Sequence, residues 1–121
     1  MAEKAVLVIE DAVFVREIEK RYLRNNGFNL IGETNSEQEG VELFRAHDPD
    51  LVILDLHLAE GTGINAIRRI LEIKPDARLV VVTSYDEEIK EENPELVSRI
   101  AAILTKPFTE EEFMQAIQKL S

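Results

Sequence analysis

Four short apolar runs in this sequence each end on residues that can do chemistry. Glu10 and Asp11 follow Ala5 to Ile9, Asp55 follows Leu51 to Leu54, Thr83 and Ser84 follow Leu79 to Val82, and Lys106, leading Pro107 and Phe108, follows Ala101 to Leu104. If the first and third runs lie side by side, three carboxylates converge, and their repulsion must be relieved by protonation or by a cation. A hard divalent ion suits the cluster: Mg²⁺, or Mn²⁺, takes oxygen ligands and commonly sits on carboxylates beside a phosphate. An Asp carboxylate placed there can attack phosphorus and form an acyl phosphate. A Lys ammonium can neutralise the phosphoryl oxygens as charge moves onto them. A Thr hydroxyl can donate to a phosphoryl oxygen that exists only after transfer, and so report the event. Singly, each residue has a plainer reading: Asp55 as a turn residue, Glu10 as a solvated strand end, Thr83 as a cap, Lys106 as a surface lysine beside a helix-starting Pro. Separate turn preferences do not explain the whole set.

The runs that carry these residues are short, β-branched and continuous, the pattern of strands buried on both faces. A further strand is expected over Phe28 to Ile31, between Gly27 and the polar cluster at Thr34 to Ser36. Helical spacing separates the strands: Val15, Ile18 and Tyr22 form one stripe, and Ile64, Ile67, Ile70 and Leu71 another. Ser36-x-x-Glu39 and Thr109-x-x-Glu112 fit the capping box and predict helix starts near residues 37 and 110. Alternating strands and helices imply parallel strands joined by right-handed crossovers, an α/β sheet sandwiched by helices in three layers. Five such units make a flavodoxin-like (βα)5 domain, and the strand order 2-1-3-4-5 comes with that fold rather than from the residues. In open α/β sheets, sites form beyond the carboxyl ends of the strands, where the polar residues above are found.

At 121 residues the chain has the size of one domain, expected over 1–121. A formal net charge of -10 has the wrong sign for gripping nucleic-acid phosphates. No cysteine is present, so thiolate metal sites, disulfides and cysteine nucleophiles are excluded. Met1 to Lys4 is polar and the apolar runs are strand-sized, so neither a signal peptide nor a membrane span is expected, and a cytoplasmic location follows by default.

These residues resemble the receiver domains of bacterial response regulators, whose pattern is an acidic pair after strand one, Asp after strand three, Thr or Ser after strand four and Lys-Pro after strand five. The matches are Ile9-Glu10-Asp11, Leu51 to Leu56, Val80 to Ser84 and Thr105 to Phe108, and Gly63 also sits where the family has glycine. The resemblance spans essentially the whole chain. It implies that Asp55 is the phosphoacceptor, that Asp11, Asp55 and the His57 main-chain carbonyl bind Mg²⁺ directly, and that Glu10 acts mainly through a water. It further implies a histidine kinase or phosphotransfer protein as donor, a downstream effector, and an output face at helix four, strand five and helix five, where homodimers also form. His57 and Tyr85 stand at positions that tune dephosphorylation, with only a backbone role in metal binding for His57. The module is then a regulatory phosphoacceptor whose catalysis is stoichiometric.

Several residues depart from the family pattern. Ala59 replaces a frequent Pro, which predicts a looser loop after Asp55. Ile103 stands where a ring is common, so a switch begun at Thr83 must pass through packing or backbone. Arg99-Ile100 replaces a small pair, and Asn93-Pro94 interrupts the fourth helix, with Asn93 expected to cap a short helix and Asp86 to Glu92 left as a loop or separate turn. A haloacid-dehalogenase-like phosphatase is the alternative from another class, but its second Asp is replaced by His57. A pseudo-receiver that only binds protein would ordinarily have lost Asp55, Lys106 or the acidic pair.

Overall fold

The structure, a computed structural model, describes residues 4–118. Met1, Ala2 and Glu3 of the polar opening segment and positions 119–121 of the expected domain lie outside the described residues. Five parallel strands, β1 (Ala5–Ile9), β2 (Asn29–Thr34), β3 (Leu51–Asp55), β4 (Leu79–Thr83) and β5 (Ala102–Thr105), form one sheet in the order β2-β1-β3-β4-β5. The helices are α1 (Val13–Asn25), α2 (Glu37–His47), α3 (Gly63–Ile73), α4 (Asp86–Glu92), α5 (Pro94–Val97) and α6 (Glu110–Gln118). The predicted flavodoxin-like architecture is therefore the observed one.

Every residue of β3 and β4 is buried, as continuous β-branched runs require in a sheet covered on both faces. Successive side chains alternate between two cores. Leu7, Ile9, Val52, Leu54 and Val81 pack on one face with Phe44 of α2 and with Ile67 and Ile70 of α3. Val6, Val8, Ile53, Val80 and Val82 pack on the other with Leu23 of α1 and with Phe113 and Ile117 of α6. Full burial of a side chain such as Ile67 contributes roughly 1.5–3 kcal/mol.

Both predicted helix starts are observed. The Ser36 hydroxyl accepts from the Glu39 N–H at 3.2 Å, and at α6 the box is reciprocal, with Thr109 N–H donating to Glu112 Oε1 at 2.9 Å. Several strand boundaries differ from expectation: β2 begins one residue later, at Asn29, and β5 is shifted by one residue to Ala102–Thr105. Strand β2 runs on to Thr34 because Gly32, Glu33 and Thr34 pair with Leu7, Val8 and Ile9 across a register shift, although their polarity ended the apolar run. Strands β3 and β4 include Asp55 and Thr83, which pair with Val82 and Thr105, so these polar residues end the strands instead of following them.

The segment Asp86 to Glu92 is a helix, not the expected loop or separate turn. Buried Ile89 anchors it, three acidic residues favour its first turn, and Lys90 Nζ pairs with Asp86 Oδ2 at 2.8 Å. Pro94 occupies the first turn of α5 as predicted, but Asn93 makes no side-chain cap. Its Oδ1 instead accepts from Arg68 Nη2 at 2.9 Å.

Candidate functional site

The chain leaves β1 toward β2 on one side, while β3 lies on the other, so a crevice opens where the two carboxyl ends diverge. Glu10 and Asp55 flank that crevice, and Lys106, arriving from β5, closes it. The Lys106 N–H donates to the Thr83 carbonyl at 2.9 Å, which holds the start of the β5–α6 loop beside β4, and the Lys106–Pro107 bond is cis. Its Nζ then lies 3.0 Å from Asp55 Oδ2 and 3.0 Å from Glu10 Oε2. One ammonium thus bridges two carboxylates, each almost wholly buried.

Glu10 is held on several sides. Its N–H donates to the Thr34 carbonyl at 2.9 Å, and Oε2 accepts from the Ala12 N–H at 3.0 Å as well as from Lys106. Oε1 is buried and has no hydrogen-bond partner. Burial and then the Asp55 carboxylate push the Glu10 carboxyl up from the ordinary 4.5 to about 7, against the Ala12 amide and Lys106. Burial also acts to lower Lys106, but its contacts with Asp55 and Glu10 outweigh it and hold the ammonium above its ordinary value.

Glu10 links folding to pH in a definite direction. Between pH 4.5 and about 7 the unfolded chain has lost this proton while the folded chain keeps it, so stability falls as pH rises through that window. The loss is expected to be roughly 2–3 kcal/mol, complete above about pH 8. Denaturant unfolding in chelator at pH 5.5 and pH 8 measures it, and a flat or rising profile contradicts it.

The other expected site residues fall in three groups. Thr83 is buried at the site, yet its hydroxyl is turned to its own loop, accepting from the Tyr85 N–H at 3.2 Å. The His57 N–H donates to Asp55 Oδ1 at 3.2 Å, while the His57 ring, 67% exposed, meets Glu88 Oε2 at 2.8 Å and ties the β3–α3 loop to α4. Tyr85 is exposed, and Ile103, opposite Val81, packs against the first core. Asp11 is exposed and forms no hydrogen bond or ion pair among the described residues. Among the described residues no three acidic or imidazole groups are gathered as a metal cage, so the expected convergence of three carboxylates is realised for two. One ammonium lies between Glu10 and Asp55, and the third carboxylate, Asp11, is exposed to water.

Ala59 is tied through its main chain to Asn35, just after β2. Its N–H donates to the Asn35 carbonyl at 3.2 Å, a bond that Pro in its place cannot make. Gly63 is required because a Cβ there would collide with the Asp55 main-chain oxygen and with Leu56 where the loop closes back on β3.

Two acids near the site were not singled out from the sequence. Glu19 of α1 is fully buried with both carboxyl oxygens unpartnered, and burial, then Glu10, hold its carboxyl well above the ordinary range. Its place within the Val15, Ile18, Tyr22 stripe is the signal that identifies it. Glu37 reaches the loop after Asp55 from α2, and nothing in its local sequence shows this.

A family model described as Response regulator receiver domain matches residues 6–118. The chemotaxis protein CheY of Thermotoga maritima is 30% identical over 122 residues, covering 98% of both chains. The transcriptional regulatory protein PdtaR of Mycobacterium tuberculosis is 34% identical over 120 residues, covering 95% of this chain and 55% of its own length. Among solved structures, CheY in the CheX-CheY-BeF3-Mg complex of Borrelia burgdorferi shares the fold with a TM-score of 0.88 at 21% identity, over 97% of this chain and 88% of that one. The receiver domain of PhyR from Erythrobacter litoralis gives 0.85 at 26%, over 99% and 91%. The match selects the receiver reading over the phosphatase one. Having the strand order, the strand-end groups and the family's sequence pattern along nearly its whole length, the chain belongs to the response regulator receiver domains of two-component signalling.

Proposed function

We propose that this receiver accepts a phosphoryl group on Asp55 and changes the surface around α4, β5 and α6 in response. The observation that carries the reading is the Lys106 ammonium, 3.0 Å from Asp55 Oδ2, at the carboxyl edge of the sheet. Asp55 Oδ1 is oriented by the His57 N–H, so the carboxylate is held from both ends, as a nucleophile in an in-line transfer must be. Lys106 neutralises charge on the transferred group, and its second contact with Glu10 keeps it at the site beforehand.

The residues fit a hard divalent cation. The side-chain donors are all oxygen, no thiolate is present, and buried Glu10 Oε1 lacks a partner. Asp11, Asp55 and the His57 carbonyl would hold Mg²⁺ or Mn²⁺ directly, with Glu10 acting through water. When bound, the ion supplies positive charge against the phosphoryl oxygens.

Thr83 is the proposed switch: rotation of its hydroxyl from the Tyr85 backbone toward a new phosphoryl oxygen would release the Tyr85 segment ahead of α4. Packing around Ile103 would carry the change to the β5 surface. His57 and Tyr85 are the proposed tuners of dephosphorylation by water. The donor is a histidine kinase or histidine phosphotransfer protein in the cytoplasm. Its approach is supported by Phe14, 77% exposed on the apolar rim between α1 and the Pro107-Phe108 loop, and by its chain neighbour Val13, 62% exposed. A downstream protein or domain reads the output face, and homodimerisation there belongs to the same proposal. The chain acts as one domain and as a stoichiometric regulator, without multiple turnover of phosphate esters. None of its described helices is long and apolar enough to cross a membrane.

The test is incubation of the protein with Mg²⁺ and acetyl phosphate, read by intact mass and by amide shifts. Incorporation of one acid-stable, base-labile phosphoryl group supports the reading, and no incorporation overturns it. In Thr83→Ala, incorporation is expected to stay within about tenfold of wild type. Shift changes at Tyr85, Ile89 and Ile103 are expected to shrink by more than half. Full-size changes there would remove Thr83 from the switch.

A further inference from the structure

The loop from Leu56 to Thr62 carries the His57 main chain that orients Asp55, and its position is imposed from α2. Glu37 Oε1 accepts from the Thr62 N–H at 2.9 Å, while Oε2 accepts from Arg69 Nη1 at 3.0 Å. The Glu37 N–H donates to the Glu60 carbonyl at 2.9 Å, and Ser36 Oγ donates to Glu60 Oε2 at 2.9 Å. Gly61 passes so close that a Cβ there would strike Glu37, and its φ of +78° already favours glycine. Thr62 is bridged to His57, and the Gly63 N–H donates to the Leu56 carbonyl at 2.8 Å. A path therefore runs from the Glu37 carboxylate to the Thr62 N–H, across the loop by the Gly63 N–H and Leu56 carbonyl that pair Thr62 with His57, and on to the His57 N–H and Asp55 Oδ1.

We propose that Glu37 is a positioning residue for Asp55: its carboxylate clamps the loop that follows the phosphoacceptor and so holds the His57 main chain where it orients the Asp55 carboxylate. The inference rests on the reading of Asp55 as phosphoacceptor. Glu37 touches none of the reacting atoms and acts through Thr62 and His57. The clamp is only partly in solvent, with 13% of the Glu37 side chain exposed, so water competes weakly for the Thr62 amide. That amide, ahead of Arg69, also holds the Glu37 carboxyl below its ordinary value despite partial burial. The bonds of Ser36 and Ala59 restrain the tip of the loop, whereas Glu37 restrains the end that is bridged to His57.

Three substitutions separate reach from charge and from bulk fold. Glu37→Asp keeps the charge at the start of α2 but is one methylene too short to reach Thr62. Glu37→Gln keeps the reach and an acceptor oxygen without the charge, and Glu37→Ala removes both. Amide hydrogen exchange at His57 and Thr62 is measured in the metal-free proteins, and the phosphorylation rate is measured with acetyl phosphate and Mg²⁺. The Asp and Ala variants are expected to exchange His57 about tenfold faster and to phosphorylate about tenfold slower, the scale of a small misplacement at a reacting group. Gln is expected to stay within about twofold of wild type on both readouts. Wild-type exchange at His57 in the Asp variant, or loss in Gln equal to that in Asp, overturns the proposal. If the Ala variant does not fold, the Asp and Gln pair still decides. Failure of wild type to take up a phosphoryl group would remove the reading of Asp55, while the exchange pattern would still decide the clamp.

Discussion

Asp55→Ala is expected to abolish phosphoryl incorporation from acetyl phosphate, by at least about 10³-fold, because no neighbouring group can replace the nucleophile. Glu10 is the nearest candidate, but one of its oxygens is committed to Lys106 and Ala12 and the other is buried, so neither is free to attack. Asp11 is exposed and has no contact with Lys106, which therefore cannot neutralise a group transferred there. The same substitution removes the carboxylate that, after burial, most raises Glu10, and leaves Lys106 paired with Glu10 alone. The variant is thus expected to be about 1 kcal/mol more stable than wild type at pH 8 in chelator. Intact-mass measurement and denaturant unfolding check the two halves separately. Retained incorporation would place the acceptor elsewhere, and a large loss of stability would mean that Asp55 has a structural role that its contacts do not account for.

Lys106→Met is expected to have the second largest effect, in both stability and chemistry. It leaves Glu10 and Asp55, 1% and 6% exposed, facing each other without their cation. Breaking a buried pair by removing one partner costs about 3 kcal/mol, and this is the expected loss at pH 8. At pH 5.5 Glu10 is protonated, one of the two charges is gone, and the loss is expected to be less than about half as large. Phosphorylation by acetyl phosphate is expected to slow by about 10²-fold, the scale of removing one preorganised group that stabilises charge in the transition state. Unfolding at the two pH values and the rate of phosphate uptake provide the measurements. Equal destabilisation at both pH values would show that Lys106 contributes mainly through its apolar stem, and an unchanged rate would remove it from the chemistry.

Much of this site is legible along the chain because strand ends are local features. A β-branched run followed by a polar residue locates the carboxyl edge whatever the rest of the fold does, and this pattern marks Glu10, Asp55, Thr83 and Lys106. The limits of β2 and α4 are set by what lies beside them. Strand length is set by hydrogen bonding to a neighbour, so β2 continues through Gly32 to Thr34 because β1 is alongside. Helix α4 forms in an acidic segment because one buried side chain, Ile89, anchors it against the sheet. Polarity read along the chain carries neither fact.

By itself the sequence determined the α/β class, the approximate strands, the helix starts at Glu37 and Glu110, the family and the residue types at each strand end, since these depend on side-chain pattern within a few positions. Only the tertiary structure decided which groups meet: Lys106 with Glu10, 96 residues away, and with Asp55, 51 away, and Glu37 with the loop after Asp55. It also decided that Asp11 stays in water, that the Thr83 hydroxyl turns to its own loop and that Glu19 is buried without a partner. The physical reason is that local preference sets the direction of the backbone, whereas distances between remote side chains and their loss of water are set by how helices and loops pack around the sheet.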